Sequence, residues 1–302
     1  MSYIVNTSPP GYSTRRADAR EATIVIVGCG GTGAFLAERL ARVLIGRRAR
    51  LCLVDHDRVE AHNVARQAFA HRDVGRYKVD TVAERLRQIA PHLEVLRSTL
   101  PYLPNVHRGV FEDSPYGGDG GGRRLVVGCV DNGHARRAIA ATLAASRPGY
   151  AGGASRIFWL DCGNDRNSGQ ILLGNALESP GLWGAFDRAA GVCHALPAPS
   201  LQRPDLLVTP PEPPPGTRMA GGCAEAIVAG TQGPTINAFV ADPAADWIDK
   251  LITGRCRWMA DYFNNDDGTR LIIPADPGRV ARIAGLRMSA VAPPTRRRRA
   301  VA

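Results

Sequence analysis

Thr23-Ile24-Val25-Ile26-Val27-Gly28-Cys29-Gly30-Gly31-Thr32-Gly33 is an apolar, β-branched run that ends in glycines. An amphipathic stretch follows at once, with Phe35, Leu36, Leu40, Val43 and Leu44 at helical spacing. A strand, a glycine turn and a helix in that order make a phosphate cradle. The glycines let backbone N–H groups approach an anion, and the helix start adds unpaired donors and the positive end of a dipole. The candidate contact residues in this turn are Gly28, Gly30, Gly31 and Gly33.

The next apolar run, Leu51-Cys52-Leu53-Val54, ends in Asp55-His56-Asp57. Asp55 lies 22 residues beyond Gly33, where a carboxylate can hold a ribose hydroxyl. A nicotinamide site needs one acid there. This chain supplies Asp55, Asp57, Asn63, Arg66, Gln67 and Lys78 within 24 residues, a density that suits a mononucleotide triphosphate better than a dinucleotide.

Gly28-Cys29-Gly30-Gly31-Thr32-Gly33, Asp55-His56-Asp57-Arg58-Val59-Glu60, Asn63-Val64-Ala65-Arg66-Gln67, Asp73-Val74-Gly75 and Lys78 together resemble the ThiF/MoeB/HesA family of ubiquitin-activating-type adenylyltransferases. Val126-Val127-Gly128-Cys129-Val130-Asp131-Asn132 resembles the later strand of that family, which ends in an Asp-Asn pair. The likeness covers residues 20–175 well and the remainder loosely. Trp159-Leu160-Asp161-Cys162-Gly163-Asn164 and Ser168-Gly169-Gln170 look most like the ThiF-type proteins of PRTRC plasmid cassettes.

Composition sets outer limits. The chain has 302 residues, 44% of them hydrophobic, enough for one large α/β domain or two small ones. No run of 18 apolar residues occurs, so no membrane span is expected, and residues 1–20 lack the apolar centre of a secretory signal. A cytoplasmic location is the expectation. The seven cysteines include no Cys-x-x-Cys, which argues against a disulfide framework and a four-thiolate zinc site. Cys29, Cys52 and Cys129 read as small core residues. Of the 38 basic residues only Lys78 and Lys250 are lysines, so the net charge of +10 is an arginine effect. The run Arg296 to Arg299 is a solvated tail or a nonspecific contact for nucleic acid or an acidic partner. In a chain that writes arginine nearly everywhere, a lysine at position 78 stands out, because a compact ammonium delivers a point charge to a phosphate oxygen.

The alternation of elements predicts a Rossmann-like α/β fold, a largely parallel sheet with helices on both faces. Strands are expected at 23–28, 50–55, 93–96, 125–130, 158–161 and 170–173, and helices at 33–45, 74–90 and 134–146. Gly117 to Gly122 reads as a flexible surface loop. Residues 197–215 hold eight prolines, which excludes a long helix or strand. Cys223 to Ala229 reads as a helix start, and a second helix opens at Pro234. Two strands joined by Asn264-Asn265-Asp266-Asp267-Gly268 follow it, and the chain after Pro274 is expected to be loose. The expected divisions are an arm at 1–20, a nucleotide-binding half at 21–175, a crossover-loop and acceptor-binding half at 176–276, and a basic tail at 277–302.

The resemblance implies a reaction: ATP-dependent adenylation of the C-terminal carboxylate of a small ubiquitin-like or sulfur-carrier-like protein. It further implies that Arg66 and Lys78 contact phosphates, Asp55 accepts ribose hydroxyls, Asn63 orients a phosphate, and Asp131, beside Asn132, holds Mg2+. An arginine from the partner's arm (Arg15, Arg16 or Arg20) would reach the nucleotide of a symmetric homodimer. Cys223, after Gly221-Gly222, would receive the activated acyl group, with Cys193 as its substitute, and Asp161 and Asn164 would line a peptide channel. Each residue also has a plain reading. Asp55 and Asp57 can cap a loop, Arg66 can bridge to Asp57, Asp131 can cap the helix at 134, and Lys78 can ride a solvated face. Two other functions remain open, a non-catalytic nucleotide- or peptide-binding subunit and an NAD-dependent oxidoreductase.

Overall fold

The computed structural model describes residues 12–14, 21–112, 122–147, 153–208 and 235–294. Within these, alternation along β1 (Glu21–Val27) decides which layer each residue meets. Ile24 and Ile26 enter one apolar cluster, and Val25 and Val27 enter another on the opposite face. A strand covered on both faces must be apolar throughout, as this one is.

Among the described residues eight strands form one sheet. β1 is joined by β2 (Arg48–Val54), β3 (Glu94–Ser98), β4 (Arg123–Gly128), β5 (Phe158–Asn164), β6 (Ser168–Gly174), β7 (Trp258–Asn264) and β8 (Thr269–Pro274). Their spatial order is β8-β7-β6-β5-β4-β1-β2-β3. β3, β2, β1, β4 and β5 are parallel to one another, while β6, β7 and β8 continue the sheet in antiparallel pairs. The chain runs outward from β1 through β2 to β3, then returns to the other side of β1 as β4. The crevice at the carboxyl ends of β1 and β4 is therefore a topological switch point, where open α/β sheets bind ligands. Register aligns this rim: Val27 lies opposite both Val54 and Gly128.

Four longer helices cover the sheet near that crevice: α1 (Gly31–Val43), α2 (Lys78–Ile89), α3 (Gly133–Ala145) and α4 (Ile236–Ile252). Leu36 and Leu40 of α1, Val82 and Leu86 of α2 and Val240 and Ile248 of α4 share a core with Ile24 and Ile26. Ile139 and Leu143 of α3 pack with Val126 and Trp159 on the other face. α4 continues through Pro243, which removes one helical donor. The continuous buried face from Ile236 to Ile252 outweighs that loss.

Some boundaries depart from expectation. α1 starts at Gly31, two residues early. α2 starts only at Lys78, because Gly75 adopts φ +86 and His71–Asp73 form a separate tight turn. The chain after Pro274 is not loose. α5 (Pro277–Ala284) is capped by Asp276, whose side chain accepts from Arg279 N at 2.9 Å, and is closed by Gly285 at φ +65. With Met288–Val291 it supplies Val280, Ala281, Ala284, Val291 and Ala292 to a third cluster, which holds Leu182, Phe186, Leu196 and Met259. Asp276-Pro277 before a helix and a glycine after it are capping signals present in the sequence. Of the proline-rich stretch, Pro199–Gln202 and Pro204–Leu207 form single turns with proline in the first turn. The Gly117–Gly121 part of the second glycine cluster, the arm arginines, Cys223 with the helix start expected from it to Ala229, and the Arg296–Arg299 run lie outside the described residues. Among the described residues no helix is long and apolar enough to cross a membrane.

Candidate nucleotide site

The crevice is built on the turn between β1 and α1. Gly28 adopts φ +88, and a Cβ there would stand 2.5 Å from the Cys129 carbonyl oxygen. Gly28 N donates to Val54 O at 2.9 Å and Cys129 N donates to Val27 O at 2.8 Å, so the ends of three adjacent strands are tied together. A Cβ at Gly33 would overlap the Gly28 carbonyl, which fixes how closely α1 approaches β1. Gly30 has more room, its nearest neighbour being Gln67 at 3.6 Å. No side chain caps α1, leaving its first amides to face the crevice.

Asp55, directly after β2, is buried (8% exposed) and locked by the backbone. Its Oδ2 accepts from Cys29 N at 2.7 Å and its Oδ1 from Asp57 N at 2.8 Å. Burial pushes its carboxyl above the usual carboxylate range. Lys78 opposes that shift most strongly, followed by the two amides. Lys78 opens α2, is 7% exposed, and donates from Nζ to Asp57 Oδ2 at 2.8 Å. It is thus not on a solvated face, and it is Lys78, not Arg66, that the described structure pairs with Asp57. Asn63 is buried, and its Oδ1 caps the Glu60 amide at 3.0 Å.

Arg66 and Gln67 border the crevice beside the glycine turn. The Gln67 Oε1 is buried with no hydrogen-bond partner among the described residues. Across from them, after β4, Asp131 is exposed, and its Oδ1 accepts from Asn132 Nδ2 at 3.4 Å. Asn132, not Asp131, caps α3, accepting from Ala135 N at 2.9 Å. Beneath that helix start lies a buried ion pair. Arg136 Nε donates to Asp161 Oδ1 at 3.1 Å and Oδ2 at 3.3 Å, and Asp161 is fully excluded from solvent. Burial raises the Asp161 carboxyl and Arg136 opposes the rise. Asp161 is therefore a buried anchor and not a channel-lining group, whereas Asn164 does line the crevice. Cys193 is 1% exposed and burial pushes its thiol well up, which removes it as an accessible nucleophile.

The crevice has a volume of about 800 Å³. Among the described residues, every expected nucleotide-contact residue lines it except Gly33. The N-terminal residues of all four long helices reach it: Gly31 of α1, Lys78 of α2, His134 of α3 and Asn237 of α4. The cations Arg66, Lys78, Arg136 and Arg203 line it together with the carboxylates Asp55, Asp57, Glu60, Asp131 and Asp165, and Lys78, Arg136 and Arg203 are paired with Asp57, Asp161 and Asp205.

Comparison with known proteins agrees with this construction. The ThiF family matches residues 10–268. The chain belongs to the ThiF family. A ubiquitin-like modifier-activating enzyme 5 from Bombyx mori is 37% identical over 122 residues, covering 40% of this chain and 30% of that protein. An adenylyltransferase and sulfurtransferase uba4 from Emericella nidulans is 30% identical over 235 residues, 77% of this chain and 40% of that one. The chain thus spans well under half the length of these relatives. Among solved structures, PaaA superposes with TM-score 0.55 at 17% identity, covering 85% of this chain and 65% of that chain. E. coli MccB with MccA-N7isoASN gives TM-score 0.52 at 18% identity over 86% of this chain and 66% of that one. These two likenesses establish the fold.

Arg136 and Asn237 are among the residues of this ThiF-family crevice that escaped the sequence reading. Arg136 shares the buried stripe of α3 with Ile139 and Leu143, and Asn237 shares that of α4 with Val240, Ala241 and Ala244. A polar residue on the core stripe of an amphipathic helix was the available signal in both cases.

Proposed function

We propose that this protein adenylates the C-terminal carboxylate of a small ubiquitin-like or sulfur-carrier-like protein, with ATP as the nucleotide. The observation that carries the reading is the convergence of Arg66, Lys78 and four helix N-termini on one crevice beside the glycine turn and Asp55. The uba4 relative is named as an adenylyltransferase, which supports it.

The chemistry asks little of a general base, since the attacking carboxylate is ionised at neutral pH. One of its oxygens bonds to the α-phosphorus of ATP. The bond from that phosphorus to the bridging oxygen breaks, and pyrophosphate leaves with the electron pair. The barrier is anion–anion repulsion and alignment, which fixed cations and donors lower. Arg66 offers a fork of N–H donors to phosphate oxygens, and Lys78 has two N–H groups beyond the one given to Asp57. Asp55 uses two lone-pair directions on Cys29 and Asp57, leaving others for ribose hydroxyls. The exposed Asp131 suits Mg2+, which takes one or two carboxylates plus phosphate and water, and the bound ion would neutralise triphosphate charge. By sequence position alone, Cys223 is the candidate acceptor for a subsequent acyl transfer, and a homodimer is the assembly we propose.

ATP–pyrophosphate exchange with purified carrier proteins tests the reading. Carrier-dependent exchange is expected from the wild type and, undiminished, from Cys223→Ala, whose defect would appear only in thiol-dependent transfer. Tight ATP binding with no exchange for any carrier would replace the enzyme with a nucleotide-binding interaction subunit. Binding of NAD in preference to ATP would return the oxidoreductase.

A further inference from the structure

The carboxamide of Asn237 joins three parts of the crevice that are far apart in sequence. Asn237 lies in the first turn of α4 and is 2% exposed. Its Oδ1 accepts from Thr32 Oγ1 at 3.1 Å and from Asn164 Nδ2 at 2.8 Å. Its Nδ2 donates to the Arg66 carbonyl at 3.1 Å. The partners stand 205, 73 and 171 residues away along the chain. Contact with the turn is also steric, because a Cβ at Gly31 would overlap the Asn237 amide. Gly31 is therefore glycine because a side-chain amide occupies the space beside it.

We propose that Asn237 is a positioning residue for the nucleotide. It holds the start of α1 and the Arg66 segment at a fixed separation, so that the turn amides and the Arg66 guanidinium meet the same triphosphate. This inference rests on the reading of the crevice as an ATP site. The three groups are of different kinds: a hydroxyl on the glycine turn, an amide at the end of β5 and a backbone carbonyl next to a cation. Only a side chain with an acceptor and a donor on one planar head serves all three, and Asn does so at the shortest reach. Both lone pairs of Oδ1 are used. Loss of the donor leaves the part-buried Arg66 carbonyl without its amide partner, and the segment carrying the guanidinium is then free to shift. A misplacement of the order of 1 Å is enough to cost catalysis heavily.

The test uses the full chain and ATP in calorimetric titrations, with exchange kinetics alongside. Wild-type binding comes first. If the wild type does not bind ATP, the functional reading fails before Asn237 is at issue. Asn237→Ala is expected to weaken ATP binding by about tenfold or more and to raise the KM for ATP, with the KM for the carrier unchanged. Asn237→Asp keeps both acceptor bonds and loses the donor at neutral pH, so it is expected to fall between the two. Its carboxyl can regain the bond to the Arg66 carbonyl by accepting a proton, so the ratio of its ATP affinity to that of wild type should rise from pH 8 to pH 6. A purely structural role would lower the melting temperature without that pH-dependent rescue. If Asn237→Ala does not fold, the Asn237→Asp profile decides alone. ATP affinity equal to wild type in Asn237→Asp at both pH values, or equal losses for ATP and carrier, would overturn the proposal.

Discussion

At the scale of single residues, Lys78 is where charge, burial and chemistry meet. It is buried, yet its partner Asp57 is half exposed, with 52% of its side chain accessible. Removing the ammonium therefore leaves Asp57 in contact with water, at a stability cost of no more than ~1 kcal/mol. The effect on the site is larger. Lys78→Met is expected to lower ATP–pyrophosphate exchange by about 100-fold, the scale of losing one fixed charge at a developing anion. It should also move a titration. Burial raises the Asp55 carboxyl above 3.8, and Lys78 is the strongest influence pulling it back. A protonated Asp55 loses acceptor strength toward ribose, so ATP affinity should fall as pH drops through that raised value. Lys78→Met should shift this acid limb to higher pH. The linked stability has a definite sign as well. Between the unfolded and the folded value the native chain holds a proton that the unfolded chain has released, so the Asp55 contribution to stability falls as pH rises. Titrating ATP affinity and the urea midpoint from pH 4 to pH 7 checks both. An acid limb that does not move in Lys78→Met would remove the coupling.

At the scale of elements, the glycine turn separates backbone requirements from ligand requirements. Gly28 combines positive φ with a carbonyl 2.5 Å from where a Cβ would stand. Gly28→Ala is expected to destabilise by about 2–4 kcal/mol and to abolish ATP binding, because the ends of β1 and β4 must separate. A Cβ at Gly30 would meet no neighbour closer than 3.6 Å, so Gly30→Ala should cost less stability than Gly28→Ala. The methyl would stand on the wall that faces the nucleotide, so ATP affinity should fall with a smaller change in melting temperature than in Gly28→Ala. Thermal unfolding and ATP titration of the two variants separate the roles, and equal melting temperatures would contradict the difference. These glycines and Asp55 were legible in the sequence because they fall within one strand–turn–helix–strand segment, where local spacing fixes relative position, whereas Lys78, at the start of α2, was legible through the family resemblance and the scarcity of lysine. Arg136 and Asn237 were not. Their partners come from other elements, so only the folded sheet brings them together. The expected start of α2 at residue 74 was four residues early, because Gly75 adopts a positive φ and the helix begins only at Lys78.

At the scale of the whole molecule, one sheet carries three apolar clusters, two of which share β7 and β8, and this makes the end of the chain matter to a distant site. β7 and β8 present Trp258, Phe263 and Ile272 to the core shared with α1, α2 and α4, and Met259 and Ile273 to the cluster built by residues 176–196 and 275–292. Neither core can open without disturbing the same two strands, so the described structure should unfold in one cooperative transition. Truncation after Asp276 removes Val280, Ala281, Ala284, Val291 and Ala292 from the second cluster. Burial of two valines and three alanines contributes on the order of 5–8 kcal/mol, which corresponds to a fall of roughly 8–13 °C in melting temperature for a chain of this size. The nucleotide crevice lies at the carboxyl ends of β1 and β4 and draws no residue from beyond Phe263. Saturating ATP should therefore still raise the melting temperature of the truncated chain, by about as much as it raises that of the full chain. A second truncation, after Pro294, is the control that removes the Arg296–Arg299 run while keeping the packed helices. Differential scanning calorimetry of the three chains, with and without ATP, distinguishes the outcomes. Equal melting temperatures for the truncation after Asp276 and the full chain would mean that the second cluster adds nothing to stability. Two separate transitions in the full chain would mean that β7 and β8 do not couple the two cores.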